Sequence, residues 1–79
     1  MNKKKFIIEV CNLIFHTNYN NIDDMPVEQY MFLDSMPYYQ LIKPLVQRDK
    51  ALGGPCSTAR GLARKYGVSS QTAFNLSKV

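Results

Sequence analysis

The chain has 79 residues, with ten basic against six acidic side chains, a formal net charge of +4 and a hydrophobic content of 46%, which is ordinary for a globular chain. At this length a single domain, residues 1–79, is expected; it buries only about 60 to 65 per cent of its unfolded surface, so marginal stability or help from a partner subunit follows. Cys11 and Cys56 are the only cysteines and show neither CxxC nor Cys/His ligand spacing, which argues against a zinc site, allows at most one disulfide and fits reduced thiols in a cytoplasm.

The N-terminus, MNKKK followed by FIIEVCNLIF, looks like a charged leader with an apolar core. Glu9 interrupts that run, no small-residue cleavage site follows, and about ten residues cannot span a bilayer. No membrane role is expected, and the segment reads as a buried helix. Its polar residues Glu9, Asn12 and His16 form one narrow stripe, while Phe6, Ile7, Val10, Cys11, Leu13, Ile14 and Phe15 cover the rest. Such a helix calls for partners on more than one side, in the core or in a second subunit. The β-branched Ile7, Ile8 and Val10 keep a strand as the alternative.

Thr17 to Asp24 is asparagine- and aspartate-rich turn chemistry. Asp23 or Asp24 is expected to cap a helix from Pro26 to about Asp34, with Glu28 in its first turn and Val27, Tyr30, Met31 and Asp34 on one face. Ser35, Met36 and Pro37 repeat the stop-and-start signal. The next helix, Pro37 to about Lys50, places Tyr38, Leu41, Ile42 and Leu45 at i, i+3, i+4 and i+7. Pro44 lacks an N–H and clashes with the carbonyl four residues back, so a bend or break near Gln40 to Lys43 is predicted. Ala51 to Cys56, ALGGPC, reads as a loop dividing a helical part, residues 1–50, from residues 57–79.

The last segment, STARGLARKYGVSSQTAFNLSKV, carries the clearest spacing in the chain. Leu62, Ala63 and Tyr66 would form the inner face of a first helix, with Ala63 small enough for a second helix to cross close by. Gly67 ends it, in the left-handed conformation that costs glycine little. Val68 would plug the turn, and Ser69 or Ser70 would cap the next helix. Ala73 and Leu76 would carry that helix's buried face. Ser70, Gln71, Phe74, Asn75 and Lys78 are left largely outward.

Residues 59–78 resemble the bipartite helix-turn-helix of bacterial and phage DNA-binding proteins. The resemblance rests on Ala63 as the small residue of the first helix, Gly67 at the turn, and Leu62, Tyr66, Val68, Ala73 and Leu76 as the buried positions. Two positions depart from the pattern: Gly61 weakens the first helix by roughly 1 kcal/mol relative to alanine, and Phe74 puts a ring where a polar contact residue is usual. The whole chain is therefore expected to be all-α, a small bundle of four or five short helices ending in this motif.

Charge follows the motif. From Ser57 on, the charged side chains are Arg60, Arg64, Lys65 and Lys78, all positive, whereas Met1 to Met36 carries three lysines against five acids. Lysine and arginine near phosphates release counterions and supply most sequence-independent affinity.

No catalytic, cofactor, metal or small-molecule site is legible. His16 is the single histidine, and nothing in the sequence places a nucleophile and a carboxylate around it. Asp23 and Asp24 read as a cap with a solvated neighbour. Cys56 precedes a helix start, where the dipole could lower a thiol pKa, but packing or capping is the simpler role. Tyr30, Phe32, Tyr38 and Tyr39 could stack single-stranded nucleic acid, although aromatics at helical spacing usually serve a core.

Two functions from different classes follow. In the first, the protein binds double-stranded DNA, in transcriptional regulation or as an accessory in recombination or phage DNA handling. Ser69, Ser70, Gln71, Phe74 and Asn75 are its base-contact candidates, and Arg60, Arg64, Lys65 and Lys78 its phosphate contacts. In the second, the apolar N-terminal helix and Phe74 form a protein-binding or homodimer surface and DNA is irrelevant. An enzyme is the least favoured class.

Overall fold

A computed structural model describes residues 3–54 and 57–78, and all regular structure among them is helical. Five α-helices occur in chain order: α1 Lys3–Phe15, α2 Val27–Asp34, α3 Tyr38–Leu52, α4 Ala59–Tyr66 and α5 Ser70–Ser77, with a 3-10 turn at Ile22–Asp24 before α2. The all-α class expected from the sequence is the class observed, and the N-terminal segment is helix, not strand. No described helix is long and apolar enough to cross a membrane. The chain divides into two compact units, residues 2–41 and 42–79, which part inside α3 and not at the glycine-rich segment.

In the N-terminal unit, α1 buries Phe6, Ile7, Val10 and Cys11, a stripe at i, i+1, i+4 and i+5 that occupies one side of a 3.6-residue helix. Leu33 of α2 and Met25 ahead of it are also buried, and the Phe6 ring packs 6.2 Å from that of Tyr38. The stripe is narrower than the apolar content suggested, because Ile14 and Phe15 are exposed. Asn12, read as part of a polar stripe, is half-buried. Its amide donates to the Tyr19 carbonyl at 3.0 Å and its oxygen accepts the Tyr19 N–H at 3.0 Å and the Thr17 hydroxyl at 2.8 Å. One side chain thereby satisfies the backbone of a turn that has no ladder of its own. At the start of α1, Lys3 Nζ donates to the carbonyls of Asp34 and Met36, where a cation meets the negative end of α2.

The start of α2 differs from expectation. Pro26 occupies the N-cap position without a side-chain cap bond, while Asp23 and Asp24 lie in the preceding 3-10 turn. The cause is local: a residue before proline is driven out of the helical region, and Met25 is extended, at φ −81° and ψ 140°. This extended step carries the two acids away from the first turn of α2. The helix then buries Leu33 alone, and Val27 and Met31, expected on a common face, are both exposed.

Pro44 does not break α3, which runs unbroken from Tyr38 to Leu52. An interior proline costs about 3 kcal/mol. On either side of it Leu41, Ile42, Leu45 and Val46 are wholly buried, and each such side chain contributes about 1.5–3 kcal/mol, so burial outweighs the missing bond. The helix also takes in Ala51 and Leu52, the first two residues of the expected loop; Gly53 and Gly54 then turn the chain at φ 76° and 88°. The remainder of that loop, including Cys56, lies outside the described residues.

Candidate nucleic-acid interface

The C-terminal unit holds the motif. Thr58 caps α4, its hydroxyl oxygen accepting the Gly61 N–H at 3.1 Å, which offsets part of the weakness that Gly61 brings to the first turn. Leu62, Ala63 and Tyr66 are buried on the inner face of α4. Gly67 ends the helix at φ 69° and ψ 37°, and the N–H of Val68 closes back on the Ala63 carbonyl at 3.0 Å, the six-to-one bond of a Schellman turn. Three residues, Gly67 to Ser69, connect the helices.

Ser69 is the N-cap of α5. Its oxygen accepts the Thr72 N–H at 3.1 Å and its hydroxyl donates to Thr72 Oγ1 at 2.8 Å. With its hydroxyl engaged in both directions, Ser69 is occupied by capping, whereas Ser70 is exposed. The inner face of α5 is Ala73 and Ser77, one turn apart, both buried. Leu76 and Val68, expected to be buried, are half-buried. Serine is tolerated at position 77 because its hydroxyl donates to the Phe74 carbonyl at 2.7 Å. Gln47 of α3 closes the other end of α5 by donating to the carbonyls of Leu76 and Lys78.

A buried carboxylate that sequence reasoning passed over holds α3 and α4 together. Asp49 is 7% exposed. It accepts from Lys65 Nζ at 2.8 Å, from the Tyr66 hydroxyl at 2.5 Å and from the Arg48 guanidinium at 3.0 and 3.2 Å. Burial alone would raise its pKa, but the hydrogen bonds from Lys65, Tyr66 and Arg48 outweigh that and hold the carboxyl below its ordinary value. Asp49 is the one acid in a unit with seven basic residues, a signal that an internal counter-ion was present.

The outer face of α5 carries the stripe Gln71, Phe74, Asn75 and Lys78, at i, i+3, i+4 and i+7, all exposed. The Gln71 amide donates to the Asn75 side-chain oxygen at 3.2 Å. Two ammonium groups lie close to the ring of Phe74, Lys78 Nζ at 4.8 Å from its centroid and Lys50 Nζ, from α3, at 5.9 Å; both distances suit a cation–π interaction. Lys50 was not among the sequence candidates, because only the fold brings the end of α3 to this ring. Arg60 and Arg64 of α4 are exposed, whereas Lys65 spends its charge on Asp49.

No protein-family model, curated protein or solved structure matches this chain. The reading of the site therefore rests on its geometry and charge.

Proposed function

We propose that the protein binds double-stranded DNA through the α4–α5 motif, with α5 laid into the major groove as its reading helix. The observation that carries this reading is the composition of the outer face of α5. Two carboxamides, a ring and an ammonium lie along one stripe, and no acidic residue occurs anywhere after Asp49. In this arrangement Arg60, Arg64, Lys78 and the newly placed Lys50 hold phosphates, and Gln71 and Asn75 meet base edges. Transcriptional regulation, or an accessory role in recombination or phage DNA handling, is the use that such a small reader serves. Anisotropy of a labelled random-sequence duplex tests the proposal. Four phosphate contacts give log affinity against log salt a slope of about −3 to −4, and absence of binding at low salt overturns the reading.

The alternative, a protein-interaction module, has one observation in its favour. Ile14 and Phe15 of α1 and Val27, Met31 and Phe32 of α2 are all exposed in the N-terminal unit, large apolar side chains of the kind a protein partner covers. A Val27→Glu, Met31→Glu variant that loses self-association by sedimentation, with DNA affinity retained, supports a homodimer surface there. A monomer at every concentration removes the homodimer.

A further inference from the structure

The composition of the α5 stripe points beyond DNA binding to a class of target. We infer that α5 reads A·T base pairs, with Gln71 on adenine, Phe74 on the thymine 5-methyl group and Asn75 as the residue that aims Gln71. This inference rests on the DNA reading proposed above.

The argument starts from the amide pair. A glutamine amide has two N–H donors and one carbonyl acceptor. One donor of Gln71 is taken by Asn75 at 3.2 Å, which leaves one donor and the carbonyl facing outward. That remaining pair matches adenine in the major groove, where N7 accepts and the N6 amino group donates; guanine presents two acceptors, N7 and O6, and would leave the Gln71 carbonyl facing another oxygen. The bond to Asn75 thus fixes the torsion that would otherwise have to be frozen at the moment of binding. Asn75 is a positioning residue, acting through Gln71.

Phe74 supplies the second half. It lies three residues from Gln71 on the same stripe, and nearly half of its surface remains open, at 45% exposure. A ring has no hydrogen bond to offer a base edge. In the major groove the one apolar feature of a base pair is the thymine methyl group, absent from a G·C pair. Lys50 and Lys78 lie within 6 Å of the ring centroid, at 5.9 and 4.8 Å, and bring positive charge to where the phosphates beside a docked base pair run. An exposed phenylalanine with two ammonium groups near its ring thus joins an apolar contact to a polyanion.

The experiment compares affinities for duplexes of one length. The first is A·T-rich, the second is identical with every thymine replaced by deoxyuridine, and the third is G·C-rich. Wild type is expected to bind the thymine duplex about fourfold more tightly per contacted methyl than the deoxyuridine one, the factor for burying one methyl group. Phe74→Ala should abolish that difference and retain the preference of both over G·C, and Gln71→Ala should lose the preference of the deoxyuridine duplex over G·C while keeping the methyl-dependent preference for the thymine duplex. Asn75→Ala should weaken the adenine preference only in the presence of Gln71, so that the Gln71/Asn75 double variant matches Gln71→Ala. Far-UV circular dichroism confirms that each variant folds. Salt-dependent duplex binding with equal affinity for thymine and deoxyuridine overturns the inference and leaves the DNA reading standing. No duplex binding overturns both. Tighter binding to single strands than to duplex also overturns the inference, in favour of Phe74 as a stacking platform.

Discussion

Replacing Asp49 with alanine removes the acceptor that joins Lys65, Tyr66 and Arg48, and the cost can be worked from their exposures. The Tyr66 hydroxyl bond is buried and charge-assisted, a class that contributes about 1.5–3 kcal/mol. Lys65 and Arg48 are 36% and 30% exposed at the side chain, so water and salt screen their pairing, and each adds only a few tenths to 1 kcal/mol. The expected loss is about 2–3 kcal/mol, against a total of about 4–12 kcal/mol for a chain of this size. Urea unfolding at pH 7, followed by far-UV circular dichroism, measures it as a fall in midpoint at unchanged slope. Tyr66→Phe should cost about half as much, and the double variant should fall short of the sum by about 1–2 kcal/mol. An Asp49→Ala loss below about 0.5 kcal/mol, or strict additivity with Tyr66→Phe, refutes the assignment of this carboxylate as the tie between α3 and α4.

The same group sets a pH dependence. Because the folded-state pKa of Asp49 is lowered, its stabilisation is present above the unfolded carboxyl value of about 3.9 and is lost as the pH falls through the folded value; acid titration of Asp49→Asn should show a shallower loss below about pH 4 than wild type. Gly67→Ala should cost about 1–2 kcal/mol in thermal unfolding, and Gly67→Asn less, since a Cβ there meets nothing within 4 Å and only the left-handed backbone is at issue. His16, exposed just past α1, sits at φ 56°, so His16→Gly should raise stability by about 1 kcal/mol by the same measurement. In DNA titrations Arg64→Ala should reduce the salt slope by about one, whereas Lys65→Ala should change it by clearly less, because Asp49 already offsets that charge.

The motif was the most legible part of the chain because its signals are local. The turn at Gly67, the cap at Ser69 and the seam of Leu62, Ala63, Tyr66 and Ala73 depend on spacing alone, and all stand where spacing put them. The misplaced features depended on competition or on distance. Pro44 was expected to bend or break the helix, and the break does not occur because four buried neighbours carry the helix through it. The acids at 23 and 24 were read as caps without allowing for what Pro26 does to Met25. Asp49 and Lys50 could not be placed from sequence, since the partners that tie them to other helices, Lys65 and Tyr66 for the one and Phe74 for the other, lie 16 or more positions away.

The turn between α4 and α5 is specified by handedness and not by room. Space is open around Gly67, so any residue that tolerates a left-handed backbone, asparagine foremost, can stand there without moving either helix. A chain that folds and reads DNA as this one is proposed to do can therefore lack the glycine altogether. Related readers are better sought by the pairing of a buried acid at the end of one helix with the lysine–tyrosine pair that ends the next than by the residue at the turn.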